Sequence, residues 1–360
     1  MLVTILSKSL DLKYPFTISR GTKTHSNSIF LCLKKNGLIG WGEASPNARY
    51  GETPDSCFAA LVHMTDGLSS GARSYTHELS RAFALVKGEN AAKAALDMAY
   101  MDLLGKRLNV PLHHVLGIDP SRAVPTSMTL PIDTPKAMAA RAQDARNFAF
   151  LKVKLGGPND RGMIRAIRDV SKQPIRVDAN EGWLDREAAL REIRWLAENG
   201  VELVEQPMPA AQVKDMIWLK EHSPLPLIAD ESFTSLASLV EIGEAFHGVN
   251  IKLQKCGGVQ AGLAAISLAR ELGLKVMMGC MVESSLGVAA ACQMSGLADY
   301  LDLDGHFFMV KNPFDGLSFS DGKVLPSDKP GLGMVPNELI LPPDDGDDFD
   351  ALMNTDEDED

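Results

Sequence analysis

The chain has 360 residues, 45% of them hydrophobic and 23% charged, with a formal net charge of −11. These proportions exclude a disordered chain, a collagen and a coiled-coil rod, and no run approaches the roughly 18 apolar residues of a membrane helix. The acidity is local: residues 344–360 carry ten acids and no Lys or Arg, so the rest of the chain stands at −1.

The acidic tail reads as disordered and solubilising. The near-neutral body offers no basic patch for nucleic acid. The start, MLVTILSKSLDLKYPF, lacks the basic residues and long apolar run of a secretory leader, so the cytoplasm is the expected compartment. Cys32, Cys57, Cys256, Cys280 and Cys292 form no CxxC pair, and the eight histidines form no HExxH or HxH. Neither a disulfide framework nor a histidine-built metal site is expected. His113 and His114 are expected to diverge, as sequence neighbours do on a helix or a strand.

In chain order, Ser28–Lys34 and Gly37–Glu43 read as a β-hairpin with Lys35-Asn36-Gly37 at the turn. Asn90 is placed to cap a helix carrying Ala92, Ala95, Leu96, Ala99 and Leu103 on one face. After Pro125, short apolar strands alternate with amphipathic helices. Eight strands are expected: Thr126–Leu130, Leu151–Leu155, Ile175–Asn180, Glu202–Gln206, Leu227–Glu231, Asn250–Lys255, Lys275–Cys280 and Leu301–Asp304. Asp185 caps the helix that Gly200 ends, and Gly273 ends another over Ala261–Leu272. The strands recur about every 25 residues. Eight strands separated by helices predict an α/β chain with a parallel (β/α)8 barrel.

Ionisable residues fall at the strand ends. Asp178, Glu205 and Asp230 end three consecutive strands, which lie about 4.8 Å apart, so their carboxylates can converge on one cation. An oxygen-only set with few protein ligands suits Mg²⁺. Lys152 and Lys154 share a face of the second strand; Lys255 lies on the sixth, opposite in a ring of eight. Lys154 and Lys255 therefore flank the cation site, the arrangement a racemase or epimerase needs to take a proton from one face of a carbon and return it to the other. Lys152 is a neighbouring cation that helps lower the pKa of the acting base. Lys252, three residues before Lys255, falls on the opposite face of a regular strand.

The motifs LKVKL, VDAN, EQP, ADES and NIKLQKCGG together resemble the enolase superfamily in its muconate-lactonising subgroup, over about residues 13–341. The pairing of a lysine base with Mg²⁺ is a known trait of that superfamily. The resemblance implies an N-terminal α+β capping domain (1–120, completed by 311–343), a modified (β/α)8 barrel (121–310) and the tail at 344–360. Within the subgroup the chain resembles the dipeptide epimerases of the L-Ala-D/L-Glu kind, which implies 1,1-proton transfer at the α-carbon of the dipeptide's C-terminal residue through an enediolate.

Residue by residue, the resemblance implies Lys154 and Lys255 as bases, Lys152 assisting the carboxylate, and Asp178, Glu205 and Asp230 holding Mg²⁺. It further implies Asp302 and Asp304 on the dipeptide's ammonium, Arg20 on a side-chain carboxylate, and Tyr50 in a second cap loop. Glu283, after the seventh strand, is expected to line the pocket and favour a polar or cationic substrate. The implied partner is a small dipeptide, with murein peptides as its source and neither nucleic acid nor membrane involved; a homo-oligomer is left open. The alternatives are an o-succinylbenzoate synthase or N-acylamino acid racemase of the same subgroup and, least favoured, a non-catalytic scaffold.

Overall fold

A computed structural model describes residues 1–68 and 74–340 of the chain; the acidic segment 344–360 lies outside them. The alternating N-terminal sequence builds a three-stranded antiparallel sheet in the order β1 (Leu2–Ile18), β2 (Gly21–Lys35), β3 (Leu38–Ala44). Asn36 and Gly37 carry the expected β2–β3 turn with positive φ at both, 52° and 73°, which matches the twist of the flanking strands. Helices α1 (Pro54–Thr65), α2 (Tyr75–Ala84) and α3 (Asn90–Leu108) cover one face. Ile29, Leu31 and Leu33 pack there with Ala92, Leu96 and Tyr100.

The contact of α3 with β3 explains the glycines of Gly40-Trp41-Gly42. A Cβ at Gly42 would lie 1.9 Å from the Ala95 carbonyl oxygen, and one at Gly40 2.2 Å from that of Ala99. Asn90 begins α3 but does not cap it. Glu89 takes the cap position, and the Asn90 side chain donates 2.7 Å to the carbonyl oxygen of Lys255. In the short α4 (Leu112–Val115), His113 and His114 do not diverge: their rings meet edge to face at 4.7 Å.

The eight expected strands all form, with shifted ends. They and their helices are β4 (Ser127–Leu130), α5 (Pro135–Asp144), β5 (Phe150–Lys154), α6 (Asp160–Val170), β6 (Ile175–Asp178), α7 (Arg186–Glu198), β7 (Val201–Glu205), α8 (Val213–His222), β8 (Leu227–Ala229), α9 (Ser238–Ala245), β9 (Gly248–Lys252), α10 (Leu253–Cys256), α11 (Val259–Glu271), β10 (Lys275–Gly279), α12 (Ser285–Cys292) and β11 (Tyr300–Asp302). Neighbours in sequence are parallel neighbours in the sheet, and a parallel bridge from Thr126 to Leu301 brings its two edges together as a barrel. Asp185 caps α7 through Ala188 N, and Gly200 and Gly273 follow α7 and α11 with φ of 77° and 70°.

One strand end differs in kind. The sixth barrel strand stops at Lys252, and Leu253–Cys256 turn into a helix before Gly257 and Gly258. Lys252 and Lys255 are thus not on opposite faces of one strand. Cys256 is likewise on that helix, its Sγ toward the carbonyl oxygens of Leu253 and Gly258.

After β11 the chain makes a 3-10 turn over Gly305–Phe308 instead of an eighth α-helix, then short strands β12 (Phe314–Asp315), β13 (Ser318–Ser320), β14 (Lys323–Leu325) and β15 (Val335–Pro336). Bridges Leu12–Met309 and Pro111–Gly331 tie this segment back to the N-terminal layer. His306 is buried in the 3-10 turn, its ring 4.0 Å from that of Phe307 and its Nδ1 without a partner. Burial, then the charge of Lys13, pushes its pKa down from 6.5 to about 4. Because the folded value is the lower one, the contribution to stability is complete above pH 6.5 and is lost as pH falls toward 4. The difference corresponds to about 3 kcal/mol. Urea unfolding between pH 4 and 7 is expected to show this loss, and His306→Phe to flatten it.

Candidate active site

Strand register assembles the site. Lys154 pairs with Asp178 across β5–β6, and Asp178 with Glu205 across β6–β7. Asp230 lies one residue beyond the end of β8, in the following turn. Ligand oxygens of Asp178, Glu205 and Asp230 all lie within 4.8 Å of one another, and the three residues are essentially unexposed. Beneath them Leu203, Ile228 and Met277 form an apolar floor inside the barrel. Three carboxylates this close, out of water, repel strongly and call for positive charge.

Four ammonium groups answer part of that need. Lys154 Nζ donates to Asp178 Oδ2 at 2.6 Å. Lys152 Nζ reaches Asp302 Oδ2 at 2.5 Å, Glu205 Oε2 at 2.8 Å and Asp178 Oδ2 at 3.3 Å. On the far side Lys255 Nζ donates to Asp230 Oδ1 at 2.5 Å and to the Asp230 and Asn250 carbonyl oxygens. Lys252 Nζ donates to Asp230 Oδ2 at 2.8 Å. The triad is thus flanked by Lys154 through Asp178 and by Lys252 and Lys255 through Asp230.

The charges set each other's proton affinities. Burial resists ionisation of Asp178, but Lys154 and Lys152 outweigh it and hold the carboxyl at about 2. Asp230 is driven well below the carboxylate range, Lys252 and Lys255 overcoming its burial. Burial, then the charge of Asp178, lifts Glu205 to about 8. Burial opposes charge on Lys152, but Asp302, Glu205 and Asp178 outweigh it and raise its pKa. For Lys255 burial wins over Asp230, and its pKa is lowered. Oxygens alone, three carboxylates, and an unpaired buried acceptor beside them (Asn250 Oδ1) suit a hard divalent cation such as Mg²⁺.

Above the triad opens a cavity of about 510 Å³, lined by residues of both layers. Lys152, Lys154, Asp230, Asp302 and Asp304 reach its wall from the barrel, and Arg20 and Tyr50 from the loops beyond β1 and β3. Asp302 accepts from Ser127 Oγ at 2.7 Å besides Lys152; Asp304 Oδ2 accepts from Thr129 N at 2.6 Å. Burial, then the neighbouring Asp302, lifts Asp304 to about 7. Burial, then Asp230, raises the Tyr50 phenol. Arg20 donates to Glu231 Oε1 at 2.7 Å and to the Asn180 carbonyl oxygen at 2.9 Å.

Glu283 departs from expectation. It is not on the cavity wall, where Met281 and Val282 stand instead. Its carboxyl accepts from Gln254 Nε2 at 2.7 Å and Met281 N at 3.0 Å. Burial, then the charge of Glu43, lifts it to about 8. The turn after β10 points it back toward β3. Conversely, Lys252, expected to face away, lines the cavity, and Lys255, expected there as a base, does not, because the strand ends at Lys252 and the helix that follows carries Lys255 away from the wall; Asn180, Glu231 and Thr129 line the cavity without having been singled out. Asn180 and Glu231 stand inside VDAN and ADES, so the motifs held the signal; Lys252 was hidden by treating the sixth strand as regular.

Residues 1–117 match the family described as mandelate racemase/muconate lactonizing enzyme, N-terminal domain, and residues 136–340 match the enolase C-terminal domain-like family. An L-Ala-D/L-Glu epimerase of Bacteroides thetaiotaomicron is 38% identical over 336 residues, 93% of this chain and 88% of the relative. The substrate-liganded L-Ala-D/L-Glu epimerase of Bacillus subtilis superposes with a TM-score of 0.88 at 28% identity, over 93% of this chain and 98% of the other. The dipeptide epimerase of Cytophaga hutchinsonii, complexed with Mg and D-Ala-L-Val, also gives 0.88 at 28%, over 94% and 97%.

The placement of Glu283 has a direct test. Glu283→Gln leaves a single acceptor oxygen where two donors, Gln254 Nε2 and Met281 N, now meet two, so one of these contacts is lost. Relative kcat/KM across a panel of dipeptides is expected to stay within about twofold, while stability in urea is expected to fall by about 1–3 kcal/mol for the donor left unpaired.

Proposed function

This chain belongs to the mandelate racemase/muconate lactonizing enzyme family of the enolase superfamily, and on that premise we propose that it is a Mg²⁺-dependent dipeptide epimerase, an isomerase that inverts the α-carbon of the dipeptide's C-terminal residue. The observation that carries the proposal is the buried Asp178–Glu205–Asp230 triad with one cavity-lining lysine, Lys154, bonded to one end and another, Lys252, bonded to the other. Residues 1–120 with 311–343 act as the cap and 121–310 as the catalytic barrel.

Asp178, Glu205 and Asp230 hold the cation, whose positive charge, when bound, stabilises the negative charge that loss of the α-proton leaves on the substrate carboxylate as an enediolate. Lys154 and Lys252, which both line the cavity and bond to opposite ends of the triad, stand on opposite sides of the α-carbon. The neutral amine on one side takes the proton, and the ammonium on the other delivers one. Lys152, between Glu205 and Asp302, steadies the substrate carboxylate. Asp302 and Asp304 receive the dipeptide's ammonium; two carboxyls at the cavity wall suit one –NH₃⁺. Tyr50 closes the pocket from the second cap loop. Arg20 takes a side-chain carboxylate, in exchange for its bond to Glu231.

Murein peptides are the proposed substrate source, on the strength of the Ala–Glu specificity named for the Bacteroides relative. The cytoplasm is the proposed compartment; all five cysteines are free thiols, as in a reducing environment. Among the described residues no helix is long and apolar enough to cross a membrane.

A dipeptide panel in D₂O with Mg²⁺ is expected to show deuterium entering the α-position, and EDTA to abolish it. Asp304→Asn is expected to lower kcat/KM for dipeptides about a hundredfold while sparing any turnover of N-acylated amino acids, which carry no ammonium. Unchanged dipeptide kinetics in that variant would overturn the proposal.

A further inference from the structure

The three carboxylates of the triad are held in the same way, each by one of its two oxygens. Asp178 Oδ1 accepts from Asn180 N at 2.9 Å. Glu205 Oε1 accepts from Asn250 Nδ2 at 2.9 Å. Asp230 Oδ1 accepts from Lys255 Nζ at 2.5 Å. The second oxygen of each meets a lysine of the cavity wall instead. Asp178 Oδ2 meets Lys154 at 2.6 Å, Glu205 Oε2 meets Lys152 at 2.8 Å, and Asp230 Oδ2 meets Lys252 at 2.8 Å.

The two side-chain donors behind the triad are themselves fixed. Lys255 is 3% exposed and lies on α10, off the cavity wall. Its Nζ aims at three oxygens: Asp230 Oδ1, the Asp230 carbonyl at 2.6 Å and the Asn250 carbonyl at 3.0 Å. Three acceptors match the three N–H bonds of an ammonium and leave no lone pair to take a proton. Asn90 Nδ2 donates 2.7 Å to the Lys255 carbonyl oxygen, so the N-terminal layer braces the helix that carries it. Asn250 is unexposed in β9, between β8 and β10. A Cβ at Gly279 on β10 would lie 2.5 Å from Asn250 Oδ1, so the amide fills the space that the glycine leaves.

A carboxylate with one oxygen tied offers a cation only the other. Mg²⁺ is small and octahedral and is served by single carboxylate oxygens; Ca²⁺ takes roughly six to eight oxygens and readily uses both oxygens of a carboxylate. We infer that Lys255 and Asn250 are positioning residues that hold Asp230 and Glu205 to one free oxygen each, and so make the site select Mg²⁺ over Ca²⁺. The inference rests on the reading of Asp178, Glu205 and Asp230 as the cation ligands. It gives Lys255 a role that needs no proton transfer. Two dications feel any change of charge at Lys255 alike, so the ratio of their affinities reports geometry and not charge.

The experiment uses the full chain with Mn²⁺ as the probe, free Mn²⁺ being counted by EPR while Mg²⁺ or Ca²⁺ displaces the bound ion. The unaltered chain is expected to bind Mg²⁺ at least about tenfold more tightly than Ca²⁺. In Lys255→Met and in Asn250→Leu that preference is expected to fall on the order of tenfold, with Ca²⁺ gaining on Mg²⁺. Urea unfolding shows which variants fold; they act on different carboxylates, so either one suffices, and the unaltered chain tests the inference without them. A preference for Ca²⁺ in the unaltered chain, or a preference unchanged within about twofold in a folded variant, would overturn the inference. An unaltered chain that binds no Mn²⁺ would instead overturn the triad as a cation site.

Discussion

Everything at this site follows from burying four carboxyls, Asp178, Glu205, Asp230 and Asp302, among four amines, Lys152, Lys154, Lys252 and Lys255, above an apolar floor. Taken as ions the two sets balance. Adding a dication and a substrate carboxylate leaves one positive charge in excess, which makes a proton easier to remove from a lysine. A cation held by Asp178, Glu205 and Asp230 would therefore also ease loss of a proton from a neighbouring lysine. That coupling works only where water cannot screen it, and so depends on the barrel interior.

The same charges bind the two layers. Arg20 and Arg49 leave the N-terminal layer to meet Glu231 and Glu181 at the barrel ends. Glu181 sits at φ 65° and Asn180 at φ 45°, an unusual backbone that turns the Asn180 carbonyl toward Arg20. Deeper in, Glu43 accepts from Ser28, Ser284 and Gly287, joining β3 to the start of α12. The cavity is a product of both layers, which explains why motifs for one function are spread from Arg20 to Asp304.

Much of this was legible in the residues. Apolar strands recurring at a regular spacing, each followed by a capped helix, allow little besides a parallel barrel. Acids at three successive strand ends, with lysines across from them, have few structural explanations, because a lone charge in a barrel costs too much. Asn36-Gly37 and Asp185 behaved as local chemistry requires. The readings that failed relied on extending local regularity: Lys252 and Lys255 on one straight strand, Asn90 as a cap, Glu283 facing the ligand. Each residue serves a partner distant in sequence, and no periodicity reports such a partner.

From its residues alone this chain settled the barrel, its eight strands and the convergence of carboxylates and lysines, since register and alternation follow from strand geometry. Tertiary structure decided which way the residues at the strand ends turn. Past the last ladder bond the backbone is free of the two-residue period, and contacts with the other layer, Asn90 to Lys255, Gln254 to Glu43 and Arg20 to Glu231, choose the conformation.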